Sequence, residues 1–407
     1  MKFRRFTNRA FLHQVGRKQL GKLFARFTPD LEARQVRIPP PDLDDTSYFS
    51  EVSGLVMKPD ALPDNLIETL FAIEEMANPE GQERIEKAAT QLGLDLKFDE
   101  ASSHGDIAVQ AFLAMPELLV EKHNEQRLIR LTTFEYFGSK RPVNRSESEP
   151  DGPAFATPSQ SVLDRITADL DSWFKEHNRG EQTAQIEVYC MEREFWFLVR
   201  HGDTYARTPK VEGRTTEILH FRPAKDDVVV YSPERDEIRI HAATKGEKEL
   251  YRTVFGLRLM GDHDYFSERK AYTLEPLREM GADALDVSDI DGLRQIVLRE
   301  YEVEFRNGYK ETLIRKAKDI YAAAAARNVQ AIPQWGNLVR ATFDFYFDRM
   351  KKPRKVTVRP PNALKLGRHC DAHLVHRWLS ARGFRASERM IEILHGGHDG
   401  DQIVAST

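Results

Sequence analysis

The sequence predicts an α+β protein: an N-terminal helical module, then antiparallel β-hairpins with packed helices in repeated strand-strand-helix units. Three observations carry this. Between residues 62 and 125 apolar side chains recur every three or four positions. From 184 onward the period shortens to two. Turn-like sequences, not long crossovers, join the later strands. At 407 residues, 41% hydrophobic and 30% charged, the chain is globular and too long for one small core.

Residues 1–40 form a basic amphipathic segment, with ten Lys or Arg against Asp30 and Glu32. Leu12, Val15, Leu20, Leu23, Phe24 and Phe27 fall near one side, which predicts a helix, weakened by Gly16 and Gly21. Its cationic sides suit nucleic acid, an anionic membrane surface or the chain's own acids. Residues 41–137 form an acidic, mainly helical module; over 41–125, nineteen acids stand against five bases. Pro39, Pro40, Pro41, Pro59 and Pro63 make 38–65 a predicted connector. Leu66, Leu70, Ile73 and Met76 mark one helix, and Ile85, Ala88, Ala89 and Leu92 a second stopped by Gly93. Ile107, Phe112, Met115, Leu118 and Leu119 mark a third behind a Ser102-Ser103 cap. A strand is predicted over 128–137, and the Gly-, Ser- and Pro-rich run 138–160 as a linker or flexible loop.

Residues 161–330 read as an α+β core domain. A helix over 160–177 turns Val162, Ile166, Leu170, Trp173 and Phe174 inward. Strands follow at 186–188, 195–199, 216–221, 227–231 and 237–241, the last two joined through Ser232-Pro-Glu-Arg-Asp236; 205–216 is expected as a loop. A helix over 246–259, a strand over 295–305 and a helix through 319–326 complete the domain. Residues 331–394 form a basic hairpin-helix module: strands 338–347 and 355–359 turn at 350–353 and lead to a helix over 371–382 and a short one from Ser387. Residues 395–407 are a tail.

No run approaches the roughly 20 apolar residues of a membrane-spanning helix. Two cysteines, Cys190 and Cys370, exclude a disulfide framework and fit a reducing, cytoplasmic setting. No cofactor is expected, because the Gly-rich phosphate loop and the dinucleotide fingerprint are both missing. The Gly-x-Ser-x-Gly and His-Glu-x-x-His motifs are missing as well.

Four features could carry chemistry. Phe197-Leu-Val-Arg-His-Gly-Asp-Thr204 resembles, over eight residues, the Arg-His-Gly motif of the histidine phosphatase superfamily. The resemblance implies His201 as nucleophile and Arg200 as phosphate ligand. That motif normally opens its domain, whereas here it lies mid-chain, and the nearest second His-Gly is His395-Gly396. Alternatively, a strand simply ends there in a turn. His369, His373 and His376 share a helical face with metal-like spacing, next to Cys370, but lack a convincing fourth ligand. Asp227, Asp236 and Glu237, followed by Lys245 and Lys248, are possible nuclease-type acids, although such acids are common in turns.

The strongest signal is cationic. Twelve Lys or Arg lie in 349–389 against Asp371 and Glu388. Lys351, Lys352, Arg354, Lys355 and Arg359 on the hairpin, supported by Lys365, Arg368, Arg377 and Arg382, are the candidate phosphate contacts. No family is recognised over the length of the chain. The leading expectation is a cytoplasmic nucleic-acid-associated accessory or regulatory protein without its own catalysis. It would bind DNA or RNA, with a protein partner on the acidic module. The alternatives are a phosphotransfer or metal-dependent phosphodiester-cleaving enzyme using His201 or the acids at 227–248, and a protein-protein interaction scaffold.

Overall fold

The structure is a computed structural model. It describes residues 5–40, 42–58, 61–96, 102–139, 155–191, 193–267, 271–305, 309, 311–348, 350, 352–367 and 372–385. The α+β expectation holds: helices come first, then antiparallel sheet. The chain divides into two compact units, Met1–Ile129 and Arg130–Thr407.

The first unit is helical: α1 (Arg9–Val15), α2 (Arg17–Ala25), α3 (Thr28–Ala33), α4 (Asp45–Val56), α5 (Asp64–Met76), α6 (Pro79–Leu92), α7 (His104–Ala114) and α8 (Pro116–Ile129). Two expectations are corrected. The N-terminal helix is not continuous, because Gly16 adopts φ +84° and its N–H bonds the Leu12 carbonyl, ending α1. The proline-bounded connector contains α4, started by Asp44, whose carboxylate accepts from the Ser47 N–H, and held by buried Tyr48, Phe49, Val52 and Val56. One core joins the basic segment to the acidic one: Leu12, Leu20, Phe24 and Leu31 pack in a cluster with Val52, Leu66, Ile73, Ile85 and Ile107. Ion pairs follow, Arg17 with Asp45 at 3.2 Å and Arg34 with Asp64 at 3.6 Å. The basic segment therefore docks on the chain's own acids, one of the three partners its charge suggested.

The second unit is built on a single antiparallel sheet. Its strands are β1 (Thr133–Ser139), β2 (Gln185–Met191), β3 (Glu194–Gly202), β6 (Ala224–Ser232), β7 (Glu237–His241), β9 (Leu293–Glu304), β10 (Thr312–Lys316), β11 (Asn337–Phe347), β12 (Arg354–Arg359) and β13 (Ala363–Leu366). They lie in the order β10-β9-β11-β12-β13-β1-β7-β6-β3-β2, with the short β8 (Phe266–Ser267) paired to β1. β4 (Ala206–Glu212) and β5 (Thr215–Phe221) form a separate two-stranded ribbon. The helices are α9 (Gln160–Glu176), α10 (Lys245–Met260), α11 (Pro276–Glu279), α12 (Ile320–Ala325) and α13 (Ala372–Ala381).

The predicted loop over 205–216 is thus mostly a strand, β4, and the sequence reading missed β10 and β13. The strand expected from 128 starts at Thr133 because α8 runs to Ile129. Of the predicted linker, residues 140–154 lie outside the described residues, as do the helix from Ser387 and the tail. The repeated strand-strand-helix pattern is real locally, but its strands merge into one sheet.

Register decides which face each half of the sheet covers, since paired residues point the same way. Phe137, Ile240, Val229, Phe197 and Val199 face α9 and α10, meeting Ile166, Leu170, Phe174 and Phe255. Phe343 is paired with Val356 and sits against Trp378 of α13 and against Phe384. Val358 pairs with Leu364, which pairs with Phe134, the residue adjacent to Glu135 and hence on the face opposite to Glu135 and Ile240. The helices therefore cover opposite faces of the two halves. In the half containing β9–β13, the face away from α13 carries the alternate residues. No helix among the described residues is long and apolar enough to cross a membrane.

Candidate functional site

The candidate phosphate contacts fall on two sides of the sheet. Lys355, Thr357 and Arg359 alternate with buried Val356 and Val358, and Lys365 is paired with Thr357. Lys355, Arg359 and Lys365 therefore share the face away from α13, and all three are exposed. Toward β9 that face is a charge lattice. Arg340 lies 2.7 Å from Glu300 and 2.9 Å from Glu302, Lys316 lies 2.9 Å from Glu300, and Arg299 lies 3.1 Å from Asp344. Each of those acids holds a cation, although Asp344, cross-strand from Lys355, keeps its buried Oδ1 without a hydrogen-bond partner among the described residues. Lys355, Arg359 and Lys365 form no ion pair among the described residues.

The remaining members go elsewhere. Lys352 is exposed at the β11–β12 turn. Arg354 points to the α13 side, its guanidinium 5.9 Å from the Phe347 ring centre. Arg377 and Arg382 ride on or next to α13; Arg377 donates to the Asp289 carbonyl, and Arg382 is clamped by Asp286 and Asp289. The hydrogen bond from Ser288 and then the Arg382 charge hold Asp286 below the usual carboxylate value. Lys351 and Arg368 lie outside the described residues. The seven described cations are therefore not one surface: sheet alternation and the α13 cover separate them, and three remain together.

The second constellation surrounds His201. Within the α9/α10 layer, His201 at the end of β3, Lys225 and Asp227 on β6, and Glu247 and Tyr251 on α10 converge. His201 Nε2 lies 3.0 Å from Asp227 Oδ2, and Nδ1 lies 2.8 Å from the Gly202 carbonyl. The Tyr251 hydroxyl donates to Asp227 at 2.9 Å. Burial, then the Asp227 charge, push that hydroxyl well above the usual tyrosine value, so it stays a donor. Lys225 Nζ lies 2.7 Å from Glu247 Oε1 and 3.4 Å from Asp227 Oδ1. Arg179 joins Glu247 at 3.3 Å and also pairs with Asp203. Glu247 is fixed on the helix side by a capping box with Thr244.

This geometry is a closed network. Each His201 nitrogen lies within hydrogen-bond distance of an acceptor, Asp227 for Nε2 and the Gly202 carbonyl for Nδ1. The ring is fully buried and stacked on Phe174 at 4.2 Å. Both nitrogens are thus engaged within the protein. Arg200, the neighbouring residue, points to the opposite face and is held by Asp226 in two bonds of 2.8 and 3.0 Å. The two residues of the Arg-His-Gly resemblance thus diverge. His201, Asp227 and Glu247 do place ligand atoms within 4.8 Å of one another. The Lys225 ammonium, bonded to both carboxylates, supplies the positive charge there.

The other nuclease-type candidates disperse. Asp236 accepts from the Tyr231 and Tyr265 hydroxyls, Glu237 binds Arg385, and Lys248 binds Glu135. Lys245 opens α10 and is exposed. Of the histidine set, His369 and Cys370 lie outside the described residues, His373 is exposed, and His376 lies near the Tyr136 ring. Sequence reasoning missed Lys225, Arg179, Glu247 and Tyr251. The Thr244-x-x-Glu247 capping box was a legible signal for one of them, whereas the β4–β5 excursion hid the pairing of His201 with Lys225. No known family model matches the sequence, and no curated protein is significantly similar to it.

Proposed function

We propose that the protein is a nucleic-acid-associated accessory protein that uses the open face of β12 and β13 to contact phosphates. One observation carries this: Lys355, Arg359 and Lys365 are exposed on one face of β12 and β13 and none of them forms an ion pair among the described residues, the acid cross-strand from Lys355, Asp344, being held by Arg299. Diagonal neighbours on adjacent strands lie about 7–8 Å apart, so their charges repel one another unless an anion bridges them. Four acid–base contacts on the same face show that pairing was geometrically available nearby, yet these three cations lack it. A protein that releases counterions in this way binds with an affinity that falls steeply with salt.

The test is binding of the full-length protein to labelled duplex DNA across a salt series. Replacing the three residues as K355E/R359E/K365E is expected to weaken binding and to flatten the log–log salt slope by about 2–3, close to 0.9 per lost phosphate contact. An unchanged slope would remove this reading. The enzymatic alternative through His201 gains little from the geometry, because each polar group of that network is already engaged within it.

A further inference from the structure

We infer that the β4–β5 ribbon is an arm that enters the major groove of duplex DNA; this depends on the nucleic-acid reading of the sheet face. The ribbon leaves the sheet at Gly202 and returns at Ala224. Its strands pair with each other and, among the described residues, with no other strand. Seven-residue strands give an arm about 23 Å long. A lone two-stranded ribbon is marginal in water without something to cover it. Yet this one exposes Val211 at 72% and Tyr205 at 64%, with Ile218, Leu219 and Phe221 also exposed.

Register sorts its side chains. One face sets Arg207 opposite His220, Pro209 opposite Ile218 and Val211 opposite Thr216, with no acid. The other holds the acidic Glu217, opposite Lys210, together with Leu219 and Phe221. Arg214 stands at the tip beside Gly213, whose φ of +60° suits a tight two-residue hairpin turn. Arg207 and Arg214 form no ion pair among the described residues. Cations mixed with small apolar groups suit base edges and thymine methyls between phosphate walls, and the B-DNA major groove admits a two-stranded ribbon. A second copy adding a strand along β4 is disfavoured, because Pro209 lies in the middle of that strand.

The arm is also anchored. Arg222 donates to the Asn178 and Asp203 carbonyls at 2.7 and 2.6 Å, and the Asp203 N–H bonds the Pro223 carbonyl at 2.7 Å. Arg179 ties Asp203 to the buried network. A rigid root lowers the ordering cost of insertion.

The experiment compares full-length parent, R207E/R214E, V211A/I218A and K355E/R359E/K365E, each checked for an unchanged thermal midpoint. Binding is read on duplex DNA of about two helical turns, together with guanine N7 methylation protection and sedimentation. The parent should protect N7, a major-groove atom. R207E/R214E should bind at least about tenfold more weakly, flatten the salt slope by about 2 and lose protection. V211A/I218A should lose protection at nearly unchanged slope. K355E/R359E/K365E should keep the protected pattern at saturating protein. Parent binding without protection, or with R207E/R214E indistinguishable from parent, overturns the arm and leaves the sheet face standing. No parent binding overturns both. Equal protection of an RNA duplex, whose major groove is too narrow, overturns groove entry. Dissociation of a dimer by V211A/I218A with DNA binding intact would make the ribbon a self-association surface instead.

Discussion

Replacing Asp227 with alanine should unfold the second unit far more readily than the same change at its neighbour, Asp226. Asp227 is almost fully buried and accepts from His201, Tyr251 and Lys225. Its loss strands two buried donors, at about 1–3 kcal/mol each. It also leaves Lys225 with Glu247 as its one remaining carboxylate. Breaking a buried pair by removing one partner costs about 3–5 kcal/mol, and the two routes converge near 4 kcal/mol. At about 2–4 °C per kcal/mol for a unit of this size, the thermal midpoint should fall by on the order of 10 °C. Asp226 binds Arg200 bidentately on the opposite face, but both are partly exposed, so D226A should cost no more than about 1 kcal/mol. The assay is calorimetry and urea unfolding of the full-length variants. If D227A and D226A unfold together, the His201 network does not support the fold. Alternatively, D227A that unfolds like the parent but abolishes a measurable phosphatase activity would restore the catalytic reading.

Two further outcomes follow from the same network. Burial pushes the Glu247 carboxyl up, but Lys225 and the Thr244 backbone N–H outweigh it and hold the group below the ordinary glutamate value. A depressed folded value means the contribution is full above about pH 4.3 and is lost as pH falls through the folded value. The urea midpoint of E247Q should therefore be lower at neutral pH and converge on the parent in acid; parallel curves down to about pH 3 would contradict this. Gly202→Ala places a Cβ 2.3 Å from the Arg179 carbonyl oxygen and 2.4 Å from Arg222 Cδ. The Arg222 side chain can move but the backbone carbonyl cannot, so a loss of about 1–3 kcal/mol is expected. Faster tryptic cleavage at Arg207 and Arg214 should accompany it, and unchanged stability and cleavage would show that the root has slack.

What the sequence disclosed depended on whether a signal was local. Leu66, Leu70, Ile73 and Met76 mark α5 because helix contacts repeat within a few residues, and Val228–Val230 with the turn at 232–236 mark a hairpin for the same reason. β13 was lost because four residues, Ala363–Leu366, carry too short an alternation. β4 was lost because Pro209 and its polar neighbours imitate a loop. Charge density at 349–359 was legible, but its direction was not. Lys355 and Arg354 are adjacent, and only the packing of Trp378 on Phe343 and Phe345 says which of them faces the open side. The His201 cluster joins residues from 179 to 251, a span over which a single sequence offers no register.

The Arg200-His201-Gly202-Asp203 run also has a physical reason for its composition that needs no phosphate. At this point β3 must stop and the chain must leave the sheet as a ribbon without fraying. His201 ties inward to Asp227 and to its neighbour's carbonyl, and Arg200 ties to Asp226 on the other face. Gly202 admits the close approach of the Arg179 backbone and the Arg222 side chain, and Asp203 links Arg179 to Arg222. Each residue type is required by a different neighbour, and together they hold the strand end from both faces. Both His201 ring nitrogens are engaged within the fold, by Asp227 and by the Gly202 carbonyl. The motif therefore marks where the ribbon is rooted.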